Sequence, residues 1–440
     1  MVTPKTIVAQ ATPSGRGSVA IVRISGTKSF DIAKKVGKIK EKPKHLKAFL
    51  GFVFNSKGER FDRVIYLFFE GPNSYTGENV VEISCHGNQL IVEQIIERAM
   101  FFGAALPEPG EFTKRSFLNG KMSLSQAESV GLLISSRSKE AAQINLENSE
   151  GLLSKNIENI KGNLIKILGS LEFDLDISEE EEPNRVLIKE SAKSLKNNHI
   201  EIGNLLSSSR VGVRINTGIR VAIVGKPNVG KSTLMNLLAG SNKSITSPKP
   251  GTTRDVIVCE INISGYPVTI VDTAGIRQSK DSVEGLGIER ALKEVERASI
   301  VLSLYTSKIK PVDNIDLKKQ IMVQNKVDLQ KKISKKNEIV YISALKGVGL
   351  SKLFSAIEKK ILSSGSFTSD TYINTKRQEV SLDLCQKSVG RAHSLLNKDP
   401  ALELVAYEIK TAISHLDSFL GKTTAENVLD QVFSSFCVGK

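Results

Sequence analysis

Cysteine is scarce in this chain: four thiols in 440 residues, Cys85, Cys259, Cys385 and Cys437, with no C-x-x-C pair among them. That spacing argues against a zinc knuckle and against a disulfide framework. Long apolar runs are also missing. None approaches the ~18 residues a membrane-spanning helix needs, and the N-terminus lacks an apolar signal core, so the expected compartment is cytoplasmic. Acidic charge is in short supply, with 61 Lys+Arg against 47 Asp+Glu and a net charge of +14. The imbalance is local. Residues 216–370 hold ten more basic than acidic side chains, residues 1–120 six more, and residues 121–215 two fewer. A basic balance permits an RNA partner. Lysine-rich loops such as Lys331-Lys332 and Lys335-Lys336 account for it equally well as a solvated surface.

The chain is too long for one ordinary domain, so about three are expected. Its central feature is Gly225-Lys-Pro-Asn-Val-Gly-Lys-Ser-Thr233, which fits G-x-x-x-x-G-K-[ST]. The apolar run Arg220–Val224 before it reads as a strand, and Leu234–Ala239 after it as a helix closed by Gly240. A strand, a glycine loop and a helix start gather backbone N–H groups around an anion. Lys231 then reaches the β- and γ-phosphates, and the Ser232 hydroxyl ligates Mg2+.

Three further motifs follow in order. Val268–Gly275 is a strand ending in Asp-x-x-Gly; Asp272 holds Mg2+ through water, and the Gly275 N–H meets the γ-phosphate. Asn325-Lys-Val-Asp328 follows the strand Ile321–Val323, and its Asp328 carboxylate matches guanine N1–H and the 2-amino group. Val340–Ala344 supplies the loop, Ser343-Ala344, that backs the base. Each tetrapeptide is weak alone, but their order at strand ends points to a guanine-specific P-loop GTPase. Ile276 stands where Ras-like enzymes carry the water-orienting glutamine. Asn228 offers a carbonyl oxygen beside the β-phosphate. The segment 244–253 adds carbonyls and hydroxyls for a monovalent cation, which would act there much as an arginine finger does.

Elsewhere, residues 1–120 read as mixed α/β, with strands at 6–9, 19–24, 61–69 and 80–84 and a helix from Gln89 to Phe102. By spacing alone Arg23, Glu82 and Lys121 read as solvated or salt-bridged charges. Residues 122–215 turn helical: Ser125-x-x-Glu128 suggests a capping box, and Leu152 to Leu171 keeps a period near 3.6. Arg210 to Gly218 reads as a linker. Residues 371–440 are helical around Val380, Leu384, Leu395, Leu404, Ile409, Ile413 and Leu416.

Taken end to end, the chain resembles the MnmE (TrmE) family of tRNA modification GTPases. The strings that carry the resemblance are Thr6–Pro13, Gly15-Arg-Gly17, Pro72–Glu78, His86-Gly87, Pro109–Phe112, Gly251-Thr-Thr-Arg-Asp255 and the terminal Cys437-Val-Gly-Lys440. The resemblance implies an α/β plus all-α architecture. An N-terminal α/β folate-binding and dimerisation domain would span 1–120. A discontinuous helical domain would span 121–215 and 371–440, with a P-loop G domain of Ras-like mixed sheet inserted at 216–370. GTP would be bound by Asn228, Val229, Gly230, Lys231, Ser232, Thr233, Ser247, Pro248, Lys249, Pro250, Gly251, Thr252, Thr253, Asp272, Thr273, Ala274, Gly275, Asn325, Lys326, Asp328, Ser343 and Ala344. K+ would sit among Asn228, Ser247, Lys249 and Thr252, and Mg2+ against Ser232 and Thr253. Glu284 would help orient the water, with Arg277 nearby, and Cys437 would be needed for modification. Arg23, Glu82, Lys121 and Lys440 would bind 5-formyltetrahydrofolate or methylenetetrahydrofolate. Pro248 and Pro250 depart from the smaller or acidic residues usual there, and proline stiffens the loop.

The family's activity is K+-stimulated GTP hydrolysis by a homodimer. With the flavoprotein MnmG (GidA), which alone carries FAD, it adds an aminomethyl or carboxymethylaminomethyl group to the wobble uridine of certain tRNAs. A different class remains open at this level: a switch GTPase in ribosome assembly without modification chemistry.

Overall fold

The structure, a computed structural model, describes residues 5–41, 44–177, 184–241, 258–272, 293–312, 315–330, 338–362, 371–398 and 401–439. The chain divides into two compact units, one of Met1–Gly131 with Ser414–Lys440, the other of Leu132–Ile413.

In the first unit, β1 (Ile7–Gln10), β2 (Val19–Ser25), β3 (Ala48–Phe54), β4 (Arg60–Phe69) and β5 (Val80–His86) form an antiparallel sheet in the order β1-β2-β5-β4-β3. The strands alternate as half-buried strands do: Val22 and Ile24 of β2, Val64, Tyr66 and Phe68 of β4, and Val81 and Ile83 of β5 all enter one core. Helices α1 (Ser29–Gly37) and α2 (Gln89–Phe101) cover that face with Ile32, Val36, Val92 and Ile95. The four expected strands and the expected helix are all present. β3 escaped the sequence reading because AFLGFVF does not alternate. Its Gly51 lies close under two rings, since a Cβ there would come within 3.0 Å of Phe49 and 3.1 Å of Tyr66. α3 (Glu111–Leu118) and the start of α4 (Leu124–Ser135) pack with Leu429 and Phe433 from the last helix, Glu426–Ser434.

The capping box of α4 is real but lies two residues earlier than expected. Ser123 Oγ accepts from the Gln126 N–H at 3.2 Å, and Gln126 Oε1 accepts from the Ser123 N–H at 3.0 Å. Ser125 is a buried residue inside the helix.

The second unit holds α5 (Lys139–Ser149), α6 (Leu152–Ile177) and α7 (Arg185–Thr217), then a six-stranded sheet. Its strands are β6 (Ile219–Val224), β7 (Val258–Ile263), β8 (Tyr266–Asp272), β9 (Ile300–Tyr305), β10 (Gln320–Gln324) and β11 (Ile339–Tyr341). Their order is β11-β10-β9-β6-β8-β7, parallel except for the β7–β8 pair. α8 (Lys231–Ala239) and α9 (Leu350–Leu362) flank the sheet, and α10 (Lys376–Lys398) lies along α7. Near-continuous burial along Val221–Val224 and Ile300–Leu304, with Val221, Ile223 and Leu302 in one core and Ala222, Val224 and Val301 in another, is what a parallel sheet covered on both faces requires. α11 (Leu402–Leu420) and α12 (Glu426–Ser434) complete the chain.

The expected linker at 210–218 is instead the last turns of a 33-residue helix. Val211 and Ile215, four apart, are buried, and Gly212 has no room for a Cβ against the Ile373 carbonyl. Only Gly218, at φ 76°, separates α7 from β6. The helical period in α6 holds, with Leu153, Ile157, Ile160, Leu164, Ile167 and Leu171 all buried. In α10 and α11 the expected core positions Val380, Leu384 and Leu404 are exposed. Leu382, Cys385, Val389, Ala392 and Val405 fill the core in their place.

Candidate functional site

The phosphate loop leaves β6 at Val224 and ends in α8, whose first residue is Lys231. Two backbone conformations make it possible. Asn228 has φ 62°, tolerable for asparagine, and Gly230 has φ 97°. A Cβ on Gly230 would also strike Asn325 Nδ2, and one on Gly225 the Leu304 carbonyl. Those two glycines are fixed by sterics as much as by any ligand. The Lys231 ammonium donates to the carbonyls of Gly225 at 2.7 Å and Lys226 at 3.0 Å, which aims it across the mouth of the loop. Asp272, the last residue of β8, is fully buried, and its Oδ2 accepts from Ser232 Oγ at 3.3 Å. A hydroxyl against a buried carboxylate is a donor set of hard oxygens, and it fits Mg2+.

The second half of the site hangs on β10 and the loop after β11. Asn325 is buried and joins three segments: its Nδ2 donates to the Val229 carbonyl at 2.8 Å and its Oδ1 accepts from the Ala344 N–H at 2.9 Å. Lys326, at φ 61°, donates from Nζ to the Asn228 carbonyl at 2.8 Å. The motif expected to read the base is therefore also a brace for the phosphate loop, a role that motif matching did not anticipate. Asp328 stands in the short 3-10 turn Val327–Leu329, and its buried Oδ1 has no hydrogen-bond partner among the described residues. The Ser343 hydroxyl bonds this carboxyl and holds its pKa below the usual carboxylate range, helped by Lys346 and Lys326. An ionised oxygen sealed from water and lacking a donor fits a ligand edge with N–H groups, as guanine offers.

Of the expected nucleotide residues, Asn228 to Thr233, Asp272, Asn325, Lys326, Asp328, Ser343 and Ala344 come together at the C-terminal ends of the parallel strands, where open α/β sheets bind ligands. Ser247, Pro248, Lys249, Pro250, Gly251, Thr252, Thr253, Thr273, Ala274, Gly275, Arg277, Glu284 and Lys440 lie outside the described residues.

In the first unit, Arg23 and Glu82 face each other in the β2–β5 register, and Arg23 Nε donates to Glu82 Oε1 at 2.9 Å. The Arg23 guanidinium lies 5.5 Å from the Tyr75 ring centre and 5.7 Å from that of Phe112. Tyr75 and Phe112 flank this charged pair, and sequence reading did not single them out. Both stand inside motif strings, but nothing in the spacing marks them. Aromatic faces beside a charged pair fit a flat heterocycle with hydrogen-bonding edges. Lys121 is exposed and close to Gly77, and Cys437 is exposed and unpaired with another cysteine.

A glycine loop that cradles phosphates at the head of a parallel sheet, with a buried carboxylate on the neighbouring strand, defines a P-loop nucleoside triphosphate hydrolase. Comparison with known proteins narrows the class. A family model described as the MnmE helical domain matches residues 124–437, and one described as the GTP-binding protein TrmE N-terminus matches residues 6–121. The tRNA modification GTPase MnmE of Thermotoga petrophila is 39% identical over 99% of this chain and 100% of its own length. That of Aquifex aeolicus is 38% identical over 99% of each. A crystal structure of the G domain of the T. maritima FeoB iron transporter covers 34% of this chain and 99% of that one. Its 24% identity and TM-score of 0.26 are too slight a likeness to carry an argument. The chain belongs to the MnmE family of tRNA modification GTPases and is a GTP hydrolase.

Proposed function

We propose that this chain is the GTPase component of the machinery that modifies the wobble uridine of certain tRNAs. The support for it is the end-to-end likeness to relatives named for tRNA modification, covering nucleotide site and N-terminal sheet alike. The four ranges 1–120, 121–215, 216–370 and 371–440 serve as its domains. With a flavoprotein partner that carries FAD, it attaches an aminomethyl or carboxymethylaminomethyl group using a tetrahydrofolate one-carbon unit. It works in the cytoplasm as a homodimer.

The residues divide the labour. Asp328 accepts from guanine N1–H and the 2-amino group, and Asn325 fixes the loop that presents Val229 to the phosphates. Lys231 neutralises charge on the β- and γ-phosphates. Ser232, with Thr253 and with Asp272 behind a water, would hold Mg2+, and Asn228, Ser247, Lys249 and Thr252 would hold K+. Those cations, when bound, offset charge that develops on the leaving phosphate. Glu284 orients the attacking water. Arg23, Glu82, Lys121 and Lys440 bind the folate, Tyr75 and Phe112 shielding its ring. Cys437 serves the modification step.

The test is deletion of the gene, followed by digestion of bulk tRNA to nucleosides. The expected result is loss of the modified wobble uridine, restored by the intact chain. Unchanged nucleosides, with altered ribosomal particles, would select the ribosome-assembly switch instead.

A further inference from the structure

A second concave site lies at the other end of the six-stranded sheet. β6, β9 and β10 run parallel, so Ile219, Ile300 and Gln320 mark one end of the sheet, and the phosphate loop follows the other. A six-residue strand spans about 20 Å, which sets the distance between them. Around the strand starts is a cleft of about 390 Å³, with Arg214, Arg297, Lys318, Lys319 and Lys360 on its walls and Glu296 as the one carboxylate among its described lining residues.

The five cations come from four places in the chain. Arg214 is in the last turn of α7, Arg297 precedes β9, Lys318 and Lys319 precede β10, and Lys360 is in the last turn of α9. Scattered lysines on a solvated face do not converge in this way. Among the described residues, nearby acids offset part of this charge. Glu294 is bound by the Arg220 guanidinium, with Arg297 only at 3.8 Å, and Asp316 Oδ1 accepts from the Lys318 N–H at 2.9 Å. Lys319 Nζ makes a long contact, 3.4 Å, to the Glu296 carbonyl. Like charges crowded in one concavity repel, and an anion placed among them relieves the repulsion. Apart from Arg214, the cleft's cations also lie in the range with the largest basic excess, residues 216–370.

We propose that this cleft seats the phosphate backbone of an RNA; the proposal rests on the reading of the chain as acting on tRNA and adds the surface that holds it. RNA bound there leaves the nucleotide site open, so one sheet carries guanine nucleotide at one end and RNA at the other.

The test uses the full-length protein with GDP and a fluorescent, unmodified tRNA transcript, titrated by anisotropy at several salt concentrations. The variant carries Arg297→Glu, Lys318→Glu and Lys319→Glu, none of which touches the nucleotide site. The expected result is affinity weaker by about tenfold or more, and a log–log salt slope shallower by about 2. RNA-free GTP turnover stays unchanged. If the triple reversal does not fold, the neutral set Arg297→Gln, Lys318→Gln and Lys319→Gln, matched to wild type by thermal melt, makes the same measurement. Equal affinity and slope in wild type and variant would overturn the proposal. So would displacement of the RNA by low pyrophosphate at fixed ionic strength, which would mark a small-anion site. Failure of the wild type to bind tRNA would overturn it too, while the nucleoside digest judges the modification role separately.

Discussion

At the scale of single residues, Asp328 has the sharpest consequences. Its Oδ1 is buried without a donor among the described residues. Asp328→Asn replaces an acceptor by an amide that donates, which mismatches the guanine 2-amino group and matches the 2-oxo group of xanthine. GTP affinity is expected to fall by about 100-fold or more and xanthosine triphosphate affinity to rise, both read by calorimetric titration. Proton linkage follows from the same group. Ser343 and the neighbouring lysines hold the folded pKa down. A depressed carboxylate contributes above its unfolded pKa and loses its effect as pH falls through the folded one. GDP affinity is therefore expected to persist to a lower pH than an ordinary carboxylate allows, with no such acid limb in Asp328→Asn.

The thiols sort by burial. Burial raises Cys85 to about 11 and Cys385 to about 12, and shifts Cys259 upward as well. Thiolate is the reactive form, so iodoacetamide at neutral pH is expected to label exposed Cys437 and spare the other three, as peptide mass mapping would show.

At the scale of elements, the informative place is where the chain enters and leaves the six-stranded sheet. α7 hands over to β6 at Gly218, and residues 371–374 return beside it. Buried amides tie the two crossings together. Asn145 Nδ2 donates to Asn216 Oδ1 at 2.7 Å, Asn374 Nδ2 donates to Asn145 Oδ1 at 2.8 Å, and Asn148 Nδ2 donates to the Tyr372 carbonyl at 2.8 Å. Asn145→Ala leaves buried Asn374 and half-buried Asn216 each short of a partner and is expected to cost about 1–3 kcal/mol, seen as a lower midpoint in denaturant. None of this was legible in the sequence. Asparagines at 145, 216 and 374 look like ordinary polar residues until the fold joins positions 229 apart. Periodicity did better where burial is one-sided, as in α6. It failed in α10, where several faces are covered and Val380 and Leu384 fall on the exposed one. The nucleotide motifs were legible because phosphate binding dictates glycines and a lysine at fixed spacing. The bracing by Asn325 and Lys326 was not, since it joins segments 96 and 98 residues apart.

At the scale of the whole molecule, no helix among the described residues is long and apolar enough to cross a membrane. The proposed cation site and homodimer make a simple demand: GTP turnover is expected to be faster in K+ than in Na+, and to rise per site with protein concentration. Equal rates in both salts would remove Asn228 from cation binding.

The join at Gly218 also has a mechanical meaning. A helix of 33 residues is about 50 Å long, and it meets the nucleotide sheet with one residue of slack. The amide clamp on the returning segment, residues 371–374, denies the joint a free hinge. Any twist of the sheet on phosphate release must then be carried up the helix as through an oar in its rowlock: ten degrees at the joint is about 9 Å at the far tip.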